Sequence, residues 1–273
     1  MPARSYLIVG DGVFGISTAL HILDAGQKVN LIDQAELDLI VHRQPGAASD
    51  DISKIIRIDY PSVSRMKEAI HIHDLWTTNE RYRTFYLPVG RIVAYDERAL
   101  TTLRGHDSAR THLNLGARTR LSKDVLREHY GTEDVPDGLT YTYNTDDGMV
   151  NWGECVQSLR NETRELCTVR EVKVEKLIHE QGRITAITFH SGEINTTNKM
   201  VILTAGSWIG DILDKSGIEQ PLISRAPIAV GIFAFVLQLE EDQLNFFWGK
   251  PVFSHIGHGL YASVNYRRTS DGF

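Results

Sequence analysis

The segment Gly10-Asp11-Gly12-Val13-Phe14-Gly15 has the residue types and spacing to hold a pyrophosphate. In G-x-G-x-x-G the first glycine permits a tight turn and the second lets a phosphate approach the backbone. The third lets a helix pack close to a strand. The phosphates would rest on unpaired amides at the positive end of that helix, whose first residues are Val13 and Phe14. A carboxylate about 20 residues further on hydrogen-bonds ribose hydroxyls in such sites, and Asp33 stands at that distance. Asp11 is out of character, because a carboxylate beside pyrophosphate repels it; the side chain must point away or be neutralised. The motif serves NAD and FAD alike. A single copy of it fits either an NAD-dependent dehydrogenase or a flavin oxidase that takes its electrons from substrate.

Such a turn needs a strand before it and a helix after it, and the chain supplies both. Tyr6–Val9 is a short apolar run suited to a buried parallel strand. Val13–Ala25 carries apolar residues at helical spacing and is stopped by Gly26, and Lys28–Ile32 forms the next strand, ending at Asp33. Strand, helix and strand in about 30 residues make a βαβ unit. Ala35–Ser53 has no sustained period and reads as an extended excursion. A helix is predicted from near Pro61 to Asn79, a strand over Leu87–Tyr95, and a short helix over Leu121–Tyr130 with Ser122 as cap and Gly131 as stop. Asn151-Trp152-Gly153-Glu154 resembles a capping box opening a helix to Leu166. From Thr168 the pattern turns β: a hairpin of Arg183–Phe189 and Ile194–Thr197, a buried strand Met200–Leu203, a helix Trp208–Ser216, and a β-rich run Pro227–Leu239.

The 273 residues carry 29 Lys plus Arg against 35 Asp plus Glu, and this mild acidity argues against nucleic acid or an anionic membrane as partner. No apolar run approaches the ~18 residues of a membrane helix. Two cysteines, Cys155 and Cys167, are too few for a disulfide framework and fit a reducing compartment. His71 and His73 lie two apart on a predicted helix and face different ways, and His255 and His258 lack supporting ligands, so no metal is expected.

Four stretches together resemble the FAD-dependent amine oxidases of the D-amino-acid-oxidase superfamily, in the branch of sarcosine oxidase, fructosyl amino acid oxidases (amadoriases) and saccharopine oxidases. They are Gly10–Gly15 with Asp33; Ala48-Ser49-Asp50-Asp51-Ile52-Ser53-Lys54-Ile55-Ile56-Arg57; Asp147-Gly148-Met149-Val150-Asn151; and Val201-Ile202-Leu203-Thr204-Ala205-Gly206-Ser207-Trp208. The resemblance implies FAD as cofactor. It implies that Lys54 lies beside the isoalloxazine, where a cation stabilises negative charge on reduced flavin, and that Arg57 grips the substrate carboxylate through its planar fork. It further implies that Ser53 donates to a phosphate or flavin oxygen and that the Val174 backbone meets adenine. Ala205, Gly206 and Trp208 would carry the chain close to FAD, and Phe246, Phe247, Trp248 and Tyr261 would wall the flavin.

The expected fold class is α/β, a Rossmann-like FAD-binding domain (residues 1–87 and 147–220) interleaved with a β-rich substrate domain (88–146 and 221–273). The expected reaction is oxidation of the C–N bond of an N-substituted amino acid by a monomer, with oxygen as acceptor. Cytoplasm or peroxisome is the expected location. Family chains run past residue 273, so a C-terminally truncated, catalytically incomplete FAD-binding remnant is one alternative, and an NAD-dependent dehydrogenase is another.

Overall fold

The computed structural model describes residues 4–34, 48–49, 51–130, 133–218 and 238–262. The chain forms two units, Met1–Asp51 with Val156–Phe235 and Ile52–Cys155 with Val236–Phe273.

The first unit is built on a four-stranded parallel sheet in the order Lys199–Leu203, Ser5–Val9, Lys28–Asp33, Thr168–Glu171. Ile8 sits opposite Ile202 on one side and Leu31 on the other. Ser5–Val9 lies inside the sheet with both faces covered, which is why Tyr6–Val9 is apolar without alternation. Leu7, Val9 and Ile32 pack with Val174, Leu177, Ile187 and Ile212. Ile8, Val29 and Leu31 pack with Ala19 of the Val13–Asp24 helix. That helix ends one residue short of the predicted bound, and Gly26 follows with φ +71°. A three-stranded antiparallel sheet, Val174–Glu180, Arg183–Phe189 and Gly192–Asn195, contains the predicted hairpin. Its last strand starts two residues early, because Gly192 at φ +154° already pairs with Phe189. The Ile209–Lys215 helix is followed by Gly217 at φ +63°.

The second unit holds a five-stranded mixed sheet, ordered Leu260–Ala262, Val252–His255, Arg91–Tyr95, Thr140–Asn144, Thr119–Leu121. A smaller antiparallel sheet places Gly148–Asn151 between Ser53–Ile56 and Tyr86–Leu87. The single strand predicted over Leu87–Tyr95 is therefore two strands in two sheets. Pro88 has no amide to give a ladder, and Gly90 turns at φ +73°. The helix predicted near Pro61–Asn79 spans Val63–Thr78, and the one after Ser122 spans Lys123–Tyr130. The predicted capping-box helix spans Trp152–Leu166. Leu100–His112 is a helix that periodicity misses, because its buried stripe is Leu103, His106, Ala109 and Arg110, half of it polar. Gly131, most of Ala35–Ser53 and most of Pro227–Leu239 lie outside the described residues. Among the described residues no helix is long and apolar enough to cross a membrane.

Candidate functional site

In the first unit the glycine segment leaves the carboxyl end of the sheet's second strand in the order above. From there the chain continues to one neighbouring strand and later returns on the other side, so the turn marks a topological switch point, where open α/β sheets bind ligands. Gly10 adopts φ +107°, and its amide donates to the Ile32 carbonyl at 2.7 Å. A Cβ on Gly10 would lie 2.6 Å from the Thr204 carbonyl oxygen, and one on Gly15 would lie 1.8 Å from the Gly10 carbonyl oxygen. A Cβ on Gly12 meets only Ser49, at 3.1 Å from Oγ. The turn is therefore closed by backbone behind Gly10 and Gly15, while Gly12 faces only a serine side chain among the described residues, a cradle that fits a dinucleotide's pyrophosphate.

Several partners hold this turn. The Asp11 amide donates to Asp33 Oδ2 at 2.7 Å, so part of the Asp33 carboxylate braces the backbone of the turn. The Val13 amide donates to Ser49 Oγ at 2.9 Å, and phosphates would share the helix start with that hydroxyl. Phe14 projects outward and is 77% exposed. Thr204 Oγ1 lies 2.9 Å from the carbonyl oxygens of both Val9 and Gly10, tying the turn to the neighbouring strand. Ala205 follows it, and Gly206–Trp208 form a 3₁₀ turn with Gly206 at φ +54°, at the same end of the sheet. Asp11 is buried and accepts from Arg160 Nη2 at 3.1 Å, so its carboxylate is neutralised as the motif requires. Burial and the Asp33 charge still push its carboxyl up to about 6. Val174 begins its strand with its side chain in the core. Ser49, Thr204 and Arg160 had no role assigned from sequence. They lie 36 to 194 residues from their partners in the turn, beyond any local pattern.

In the second unit Ser53 and Lys54 lie on a strand whose register sets Ser53 opposite Asn151 and Lys54 opposite Val150. Alternation puts their side chains on opposite faces. Arg57 follows the strand, its guanidinium 4.8 Å from the centre of the Tyr60 ring. Burial works against the charge of Arg57, but the Tyr60 hydroxyl, with Tyr261 and Asp147 nearby, holds it above its ordinary value. The next two residues are fixed by a buried polar network. Asp147 accepts from the Ile58 amide at 2.9 Å and from Arg91 Nε at 2.7 Å. Asp59 accepts from Arg110 Nη1 at 2.8 Å and Asn144 Nδ2 at 3.1 Å, with Arg118 Nε at 3.6 Å. Arg118 also donates to the Tyr95 hydroxyl at 2.8 Å and pairs with Asp107. Burial, then the Arg118 charge, lowers His106 to about 4, so it is neutral and adds no fourth cation. Asp59 and Asp147 thus hold the backbone that aims Arg57.

Phe246 and Phe247 stack edge to face at 4.9 Å on the Glu241–Phe247 helix, and Trp248 follows it. Phe246, Trp248 and Tyr261 are exposed. His73 Nε2 is 3.3 Å from the Tyr86 hydroxyl, and the His255 and His258 rings lie 4.6 Å apart, tilted by 56°. Cys155 is buried, which pushes its thiol up to about 12.

Comparison with known proteins gives a consistent result. The sequence model described as FAD dependent oxidoreductase matches residues 5–272. An uncharacterized oxidoreductase of Bacillus subtilis, YurR, is 25% identical over 222 residues, covering 79% of this chain and 58% of that protein. The L-saccharopine oxidase of Schizosaccharomyces pombe is 26% identical over 175 residues, covering 60% of this chain and 39% of that protein. The chain thus spans about half the length of these relatives. A crystal structure of a modified fructosyl peptide oxidase from Aspergillus nidulans superposes with a TM-score of 0.72 at 17% identity. That superposition covers 93% of this chain and 60% of that one, and it shows the shared fold.

Proposed function

Because the chain belongs to the family of FAD dependent oxidoreductases, we propose that it serves oxidation of the C–N bond of an N-substituted amino acid, with oxygen as acceptor. The family decides between the two cofactors that the glycine motif admits. The observation that carries the substrate half is Arg57, a guanidinium braced by Tyr60 and by two buried carboxylates behind the following residues. Sarcosine, pipecolate, saccharopine and fructosyl amino acids all present a carboxylate for it. Names among the relatives, L-saccharopine oxidase and fructosyl peptide oxidase, support the same class.

Bound FAD supplies the two-electron redox chemistry, returning the electrons to oxygen as hydrogen peroxide. The residues of this chain bind and orient. Gly10, Gly12, Val13, Phe14 and Gly15 offer backbone to the pyrophosphate, and Asp33, by its distance from the motif, is assigned to the ribose. Ser53, Val174, Ala205, Gly206 and Trp208 are assigned to the cofactor on the family resemblance. Lys54 supplies positive charge for the reduced state. Arg57 holds the substrate carboxylate bidentately, which fixes the carbon attached to nitrogen and gives rate through proximity. That carbon loses a hydride, the nitrogen loses a proton, and water splits the resulting imine into amine and carbonyl.

The test is to add FAD to the purified chain, desalt, and record the visible spectrum. One retained flavin per chain, bleached anaerobically by N-substituted amino acids, supports the reading. Arg57→Lys keeps the charge and loses the fork, so bleaching should then need at least about tenfold more substrate. Absence of retained flavin, or bleaching indifferent to the substrate carboxylate, overturns it.

A further inference from the structure

We propose that Arg160 is a positioning residue for the dinucleotide turn: its ion pair with Asp11 removes a negative charge that would otherwise oppose the pyrophosphate. The inference rests on the FAD reading above. Asp11 occupies the second position of the fingerprint and is 4% exposed. Its amide is committed to Asp33 at 2.7 Å and its Oδ1 accepts from Arg160 at 3.1 Å. Among the described residues, the charges that act on it are Asp33 from the neighbouring strand and Arg160 and Arg164 from the Trp152–Leu166 helix. Arg164 also faces Glu171 at 3.3 Å, which leaves Arg160 as the cation among the described residues in contact with Asp11. The cavity beside the pair, lined by Asp11, Arg160, Thr163 and Arg164 among others, has a volume of about 10 Å³. It admits at most one water, so no hydrated counter-ion sits beside the pair.

Without Arg160 the turn would carry two carboxylates, Asp11 and Asp33, toward a doubly negative pyrophosphate. Protonating Asp11 would relieve half of that. Burial and Asp33 already raise the Asp11 carboxyl to about 6 with Arg160 present, and losing the cation raises it further. Removal of Arg160 should therefore weaken cofactor binding in a pH-dependent way, and removal of the Asp11 charge should repair it.

The experiment titrates FAD into the chain by quenching of flavin fluorescence at pH 5.5 and 8.5. Arg160→Gln should bind FAD about tenfold more weakly at pH 8.5 and within about threefold of the parent at pH 5.5. Arg160→Lys should stay within about threefold at both. Adding Asp11→Asn to Arg160→Gln should restore the parental affinity and abolish the pH difference. Unchanged binding by Arg160→Gln overturns the proposal, as does a loss equal at both pH values that Asp11→Asn leaves in place. If Arg160→Gln alone does not fold, the double variant decides: folded and FAD-binding supports the charge argument, unfolded overturns it. A parent chain that binds no FAD overturns the cofactor reading itself, a result distinct from any difference among variants of a chain that does bind.

Discussion

A methyl group added at Gly15 would lie 1.8 Å from the Gly10 carbonyl oxygen and 2.9 Å from Thr204 Oγ1, whereas one at Gly12 meets a serine hydroxyl at 3.1 Å. Gly15→Ala must displace backbone, and a loss of more than about 3 kcal/mol of stability is expected, read as collapse of the thermal transition. Gly12→Ala needs only a small shift of Ser49, so the chain should stay folded with a nearly unchanged melting temperature. It should nevertheless lose retained flavin, because the methyl occupies the phosphate approach. The pair separates folding from binding within one motif. Asp11 adds a pH signature. Its folded carboxyl is raised from 3.8 to about 6, so the folded state holds a proton that the unfolded chain has released between those values. Stability contributed by that proton is present below pH 4 and lost as pH rises through 6. Asp11→Asn should flatten this part of the melting-temperature profile. The glycines were legible because their demands are local. Ser49, Thr204 and Arg160 were not, since each reaches the turn from another part of the chain.

Among the elements, the Leu100–His112 helix and the Arg91–Tyr95 strand carry charge into the interior of the second unit. Arg91 is fully buried, and Asp147 accepts from its Nε at 2.7 Å. Asp147→Ala leaves a buried guanidinium without that partner and frees the Ile58 amide, so about 3–5 kcal/mol should be lost in urea unfolding. His106 behaves oppositely to Asp11. Its folded value is lowered to about 4, so its contribution is present above pH 6.5 and lost as pH falls toward 4. His106→Gln should weaken the acid sensitivity of the second unit, read by amide exchange in the Leu100–His112 helix at pH 5 and 7. The apolar parallel strands and the hairpin could be read from periodicity. The Leu100–His112 helix could not, because half of its inward stripe, His106 and Arg110, is polar. An arginine inside the otherwise apolar run Leu87–Tyr95 was the available signal that a carboxylate waits for it in the core.

On the scale of the molecule, each unit is assembled from two separated stretches of chain. The α/β architecture and the family were legible from four short motifs. Which residues hold the motifs in place was not, because the sheet joins segments far apart in the sequence. Ser5–Val9 pairs in parallel with Lys199–Leu203, and Thr204 closes on Gly10 across 194 residues. A chain ending at Thr197 should therefore leave one edge of Ser5–Val9 bare and sediment as aggregate, where the 273-residue chain stays in the supernatant.

The same pairing imposes an order in time. On a ribosome adding about 5–20 residues per second, the partner strand of Ser5–Val9 emerges roughly 10–40 s after it. Throughout that interval the nascent chain carries a half-built apolar sheet, which makes it a client for holding chaperones. Its yield in a cell should then depend on how quickly the middle of the message is translated.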